Sequence, residues 1–140
     1  MAIGDRIKFL RLRRGFTQLH MGVLMGFPEK NAGVRIAQFE SGKREPNAKS
    51  LEKIAEVLEV SVAALKVDDD NFLQTLFFLE DVHGLTMKKE DDKFIFSLPA
   101  DLIPDKWLQM HDEFQYGVIG HAVYDTFRYN YEQRKKDEVK

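Results

Sequence analysis

The sequence contains no cysteine, which excludes disulfide bonds, thiol catalysis, iron–sulfur clusters and every zinc site that needs a thiolate. Histidine is scarce too, at four residues, so any metal would rest on scattered imidazoles and carboxylates. Long apolar runs are missing. The longest are a few residues, and the N-terminus MAIGDRIKFLRLRRGF places charges where a signal peptide has its apolar centre. A soluble, cytoplasmic chain without a membrane span is expected. What is present suffices for a core: 44% of residues are hydrophobic and 31% charged, which makes the chain globular by composition. Its 140 residues are room for one ordinary domain or two very small ones.

The net charge of -2 conceals an asymmetry. Met1 to Val67 carries 12 Lys+Arg against 7 Asp+Glu, a balance of +5, whereas Asp68 to Lys140 carries 9 against 16, a balance of -7. The break falls at Asp68, Asp69 and Asp70, which reads as a solvated connection between a basic unit, 1–67, and an acidic one, 68–140. A basic unit points to a polyanionic partner.

Helical signals fill the first unit. Ile3, Ile7 and Leu10 share a face, while Arg6, Lys8, Arg11, Arg13 and Arg14 lie largely elsewhere and read as a solvated surface. Gly15 stops this helix, and Thr17 is placed to cap the next, with Phe16 and Met21 spaced as a hydrophobic staple. Gly22, Gly26 and Pro28 keep the second helix short. A third runs from near Asn31 to Gly42, using Val34, Ile36 and Phe39. Asn47 caps a fourth, in which Leu51, Ile54, Ala55 and Leu58 fall at i, i+3, i+4 and i+7. Ser61 caps a last turn, with Val60 and Leu65 as a second staple.

Thr17-Gln18, Gly22 in mid-helix, Gly26 near the turn, Ile36, and Phe39-Glu40-Ser41-Gly42-Lys43-Arg44-Glu45-Pro46 together resemble the lambda-repressor-like, or Xre-type, helix-turn-helix family. Leu51, Ile54, Ala55 and Leu58 match the helix that follows, and the likeness covers roughly residues 3 to 66. It implies a five-helix DNA-binding domain whose third helix enters the major groove. Carried over by position, it implies base contacts from Gly33, Val34, Arg35 and Gln38, and phosphate contacts from Thr17, Gln18, Lys43, Arg44 and Asn47. Arg35 suits guanine O6/N7, Gln38 adenine N6/N7, and Val34 a thymine methyl. Glu40 is read as structural, pairing with a nearby base or helix terminus. Two features depart from the family. Pro28-Glu29-Lys30-Asn31 is an insertion of about four residues that leaves the start of the third helix open. His20 replaces an acidic residue, which removes half of a capping box.

The second unit reads α-β-β-α-α. Phe72, Leu73, Leu76, Phe77, Phe78, Leu79 and Val82 make a helix apolar around most of its circumference. Leu85 to Lys88 and Lys93 to Leu98 read as strands about a loop at Glu90-Asp91-Asp92. Helices follow from about Pro104 to Tyr116 and from about Ile119 to Arg134, and the RKKDEVK tail is expected to fray. The fold class expected is therefore mainly α, with a small α+β C-terminal domain. A lone hairpin is marginal in water and such a helix needs cover, so the unit is expected to form a homodimer. The interface would come from Phe72, Leu73, Leu76, Phe77, Phe78 and Leu79, with Phe94 and Phe96, either hairpin to hairpin or helix to helix.

Catalytic and metal signals are weak. His121 and Asp125 stand at i and i+4, and His111 precedes Asp112-Glu113, without further ligands to complete a site. There is no nucleophile elbow or phosphate loop, and no cofactor is implied. Asp68 to Asp70 lacks the glycine and distal glutamate of a calcium loop. Phe127, Tyr129 and Tyr131 around Arg128 lie in acidic surroundings that favour packing over base stacking. The expected activity is that of a non-enzymatic, dimeric, sequence-specific transcriptional regulator, a repressor of bacterial or phage type. The alternatives are an antitoxin-like protein whose C-terminal half holds a protein partner, and a small enzyme using its histidine–carboxylate pairs.

Overall fold

A computed structural model describes residues 3–67 and 71–131. The aspartate run at 68–70, the helix end expected near Arg134 and the RKKDEVK tail lie outside the described residues. Eight α-helices and a two-stranded antiparallel sheet make the described chain mainly helical. They fall into two compact units, one of 3–67 with 125–131 and one of 71–124. The division differs from the sequence reading, which gave everything after Val67 to the second unit.

In the first unit α1 (Ile3–Arg13), α2 (Gln18–Leu24), α3 (Glu29–Glu40), α4 (Ala48–Leu58) and α5 (Val62–Leu65) follow one another closely. Three caps lie where side-chain oxygens precede the helices: Thr17 accepts from the His20 N–H (3.0 Å), Asn47 from Ser50 (2.8 Å) and Ser61 from Ala64 (3.2 Å). The apolar stripes converge on one core that contains Ile7, Leu10, Met21, Ile36, Phe39, Ile54, Leu58 and Leu65. Phe16, Val62 and Tyr129 pack against it from outside.

Of the five cations expected on a solvated face, Lys8 is exposed without a partner among the described residues, whereas the arginines of α1 and Arg14 just past it are engaged. Arg11 is buried, and its guanidinium donates to both carboxylate oxygens of Glu40. Arg14 donates to the carbonyls of Leu58 and Glu59, so a cation satisfies the open carbonyls at the end of α4. Arg6 donates to Ala64 O and lies over the Tyr129 ring. Arg13 pairs with Asp125. Periodicity along α1 places these residues off the apolar stripe, but partners distant in sequence decide that they are structural.

Residues 125–131 complete this unit. The Ser61 N–H donates to Tyr129 O (3.0 Å), Asn130 Nδ2 donates to Glu59 O (3.0 Å), and Phe127 is buried. The expected packing role of these aromatics is observed, with Arg128 over the Tyr129 ring. Burial pushes the Asp125 carboxyl up, but hydrogen bonds and charge from Arg13 and Arg128 outweigh it, and the pKa falls below its ordinary value. A carboxylate depressed in the fold adds stability above its unfolded pKa of about 3.9 and loses it as pH falls through the lower folded value. Asp125→Asn is therefore expected to lower stability at pH 7 by on the order of 1 kcal/mol, given the solvent screening at Arg13. The gap in urea midpoint between variant and parent should begin to narrow as pH falls below about 4 and close only below the lowered folded pKa, and a gap that persists undiminished in acid would remove the charge pairing as its cause.

The second unit holds α6 (Phe72–His83), β1 (Thr86–Glu90), β2 (Lys93–Ser97), a 3-10 turn (Ala100–Leu102), α7 (Asp105–Gln115) and the start of α8 (His121–Tyr129). The strands pair in the register Thr86↔Ser97 to Glu90↔Lys93, which shortens the expected loop to Asp91-Asp92, with Asp91 at positive φ. Tyr124 stacks on Phe114 at 4.8 Å and accepts from Trp107 Nε1. Burial is otherwise slight. No residue of α6 is buried, and every residue of both strands is exposed.

Candidate nucleic-acid interface

The pair α2 and α3 is built on a close crossing. A Cβ at Gly22 would lie 2.4 Å from Ala32 O and 2.6 Å from its carbonyl carbon, so only glycine lets the two backbones approach this far. Gly4 does the same for α1, where a Cβ would stand 2.5 Å from the carbonyl oxygens of Phe39 and Glu40. The first glycine stands out in the sequence by its place in mid-helix, and the second does not.

The region read as an insertion is helical. Pro28 is the N-cap residue, and Glu29, Lys30 and Asn31 form the first turn of α3, which starts two residues before the expected boundary. Pro28 suits this place because its fixed φ and missing N–H cost nothing there, and Glu29 follows at the positive end of the helix. Those two residues were the signal available in the sequence. Ala32, fully buried on Gly22, is the one apolar anchor of the added turn.

Glu40 ties three helices together. Besides Arg11 on α1 it accepts a hydrogen bond from Gln18 Nε2 (2.8 Å), the first residue of α2. The expected partnership of Glu40 with a nearby base is thus observed. Gln18, expected on a phosphate, spends one amide N–H on Glu40 and is half-buried. Thr17 is exposed with its oxygen already accepting from His20, and Asn47 is likewise an exposed cap whose amide group still carries its donors. On α3, Val34 is 58% exposed, while Arg35 and Gln38 are half-buried and make no side-chain hydrogen bond among the described residues. Gly33 differs: the direction a side chain would take leads to Leu19 of α2, 3.5 to 3.8 Å away, so the residue offers only backbone to a groove. Lys43 and Arg44 lie exposed just past α3.

The cations of this unit sort into two sets. Arg6, Arg11, Arg13, Arg14 and Lys53 are held by protein carbonyls or carboxylates. Lys8, Lys30, Arg35, Lys43, Arg44, Lys49 and Lys66 have no such partner among the described residues, and five of these seven, all but Lys8 and Lys66, stand on α3, the loop after it or the first turn of α4. Lys30 and Lys49 had not been singled out in the sequence. Beside them an open cleft is lined by Met25, Phe27, Asn47, Lys49 and Lys53.

Residues 31–65 match the family model described as Helix-turn-helix. Over these residues, a quarter of the chain, the N-terminal unit is similar to the helix-turn-helix family. A prophage-derived HTH-type transcriptional regulator of Bacillus subtilis, YonR, is 34% identical over 58 residues, which are 41% of this chain and 50% of that protein. The chain thus matches about half the length of this curated relative. The crystal structure of the transcriptional regulator BswR is 27% identical, with coverage of 79% of this chain and 91% of that one at a TM-score of 0.48. The N-terminal unit holds α3 in place through Gly22, Gly4 and Glu40, which lie on the side of α3 that packs on α1 and α2.

The other residues singled out lie in the second unit. Phe72, Leu73, Phe77 and Phe78 are exposed on α6, and Leu76 and Leu79 half-buried. Phe94, Phe96 and Met87 are exposed on one face of the hairpin, since Met87 pairs with Phe96 and strand neighbours alternate. His121 packs on Phe114 and Asp125 is held by Arg13 and Arg128, so the expected i, i+4 pair is engaged elsewhere. Among the described residues no group of three or more His, Asp or Glu is placed to hold a metal, and no helix is long and apolar enough to cross a membrane.

Proposed function

We propose that the chain is a sequence-specific DNA-binding transcriptional regulator that docks α3 in the major groove and binds a pseudo-palindromic operator as a homodimer. One observation carries this reading: of the seven cations of the unit without a partner among the described residues, five stand on α3 and its C-terminal side, while Arg6, Arg11, Arg13 and Arg14 are held by the fold. Phosphates attract cations such as Lys43, Arg44 and Lys49 without regard to sequence, and Arg35, Gln38 and Val34 precede them on α3 as base-edge readers. The uncovered apolar faces of α6 and the hairpin support self-association through Phe72, Leu73, Phe77, Phe78, Phe94 and Phe96, with Leu76 and Leu79 behind. Two-fold symmetry would then place the half-sites about 34 Å apart. A repressor role rests on the family likeness.

Selection of duplexes from a random library, with the mass of the complex measured, tests both parts. Arg35→Ala and Gln38→Ala are each expected to relax preference at one operator position. Lys43→Ala and Arg44→Ala are expected to weaken all duplexes alike and to reduce the salt slope by about 1 for each phosphate no longer neutralised. Binding indifferent to Arg35 and Gln38 would reject α3 as the reading helix. A complex holding a single copy on a single half-site would reject the dimer.

A further inference from the structure

The added turn of α3 changes what the helix can reach. Lys30 stands at i to Val34 at i+4 and Gln38 at i+8, on the outward side of α3. It is exposed, with no ion pair among the described residues. From Lys30 to Gln38 the helix advances by about 12 Å at 1.5 Å per residue, so Lys30 adds about one turn of exposed surface N-terminal to Val34. The turn is not a loose end, because Ala32 is locked on Gly22 of α2. Glu29, exposed and adjacent, is the opposite charge at this tip. A carboxylate there repels a phosphate but tolerates a base edge, where donors and acceptors are neutral.

We propose that Lys30 is a further specificity-determining residue, donating to guanine O6 or N7 at a position outside those read by Val34, Arg35 and Gln38. The inference rests on α3 entering the major groove. It assigns a base-reading role to a segment that lies outside the helix-turn-helix match, which begins at residue 31.

The test uses the full chain, its Lys30→Ala variant and Arg35→Ala, each taken through selection from a random duplex library and then titrated on the selected site and its single-base variants at one salt concentration. Lys30→Ala, which removes an exposed side chain, should leave thermal unfolding unchanged. It is expected to lose roughly tenfold of discrimination at one outer G·C pair, with inner positions unaffected. An equal loss on every duplex would make Lys30 a phosphate ligand and overturn the assignment. So would an unchanged outer position while Arg35→Ala relaxes its own. If the parent chain enriches no sequence at all, the groove-docking reading itself falls, and this one with it.

Discussion

Glu40→Ala is expected to destabilise the first unit by about 3 to 5 kcal/mol, read from urea or guanidinium unfolding of the full chain. The carboxylate is buried, and so is its partner Arg11, with side-chain exposures of 4% and 7%. Truncating the acid leaves a guanidinium in the interior with no counter-charge, and Gln18 is deprived of its acceptor as well. The loss compares with a typical total stability of about 5 to 15 kcal/mol, so the variant would be close to unfolding at 37 °C. The pair is not stabilising merely because its rupture is costly. Taking both charges out of water carries its own penalty, so replacing Arg11 and Glu40 together by Met and Leu is expected to cost far less than Glu40→Ala alone. A single variant within about 1 kcal/mol of the parent would show that water reaches the pair and that its burial is not energetically decisive.

The contrast between this pair and the helix caps shows where sequence reasoning works. Thr17, Asn47 and Ser61 are local signals: each oxygen needs only an N–H three residues on, and all three are observed. The stripe of Leu51, Ile54, Ala55 and Leu58 is equally local, and all four are buried. Arg11 and Glu40 are 29 residues apart, and Arg13 and Asp125 112 apart. No periodicity within a helix reports such partners, which is why α1 looked like a basic surface and proved to be a bracing element. The start of α3 was obscure for a different reason. Its first turn contributes one small apolar residue, Ala32, and one residue cannot establish a period. In the candidate interface, the family likeness located Val34, Arg35 and Gln38 on α3, but it could not show that Gly33 turns toward Leu19 or that Lys30 extends the exposed side. The exposed aromatics of α6 were legible from their spread around the helix, since a helix apolar on most sides has no single face to hide.

Gly22→Val should have the second large effect, about 3 kcal/mol or more of lost stability, together with loss of operator binding out of proportion to the fraction unfolded. The Cβ alone would stand 2.4 to 2.8 Å from the carbonyl carbon, oxygen and Cβ of Ala32, and two of those atoms are backbone. No rotamer change relieves such an overlap, so α3 must move away from α2. The branch at Cβ adds two methyls where the fit of α2 on α3 has no room. Gly4→Ala is an informative companion, because its Cβ would meet the carbonyl oxygens of Phe39 and Glu40 at 2.5 Å and so press on the other end of α3. If α3 is a rod positioned from both ends, the two variants should each depress binding at temperatures where circular dichroism shows the helices intact. Operator affinity measured at about 10 °C, well below either unfolding midpoint, separates the cases. Parent-like affinity in folded Gly22→Val would mean that the spacing of α2 and α3 is not what aims Arg35 and Gln38.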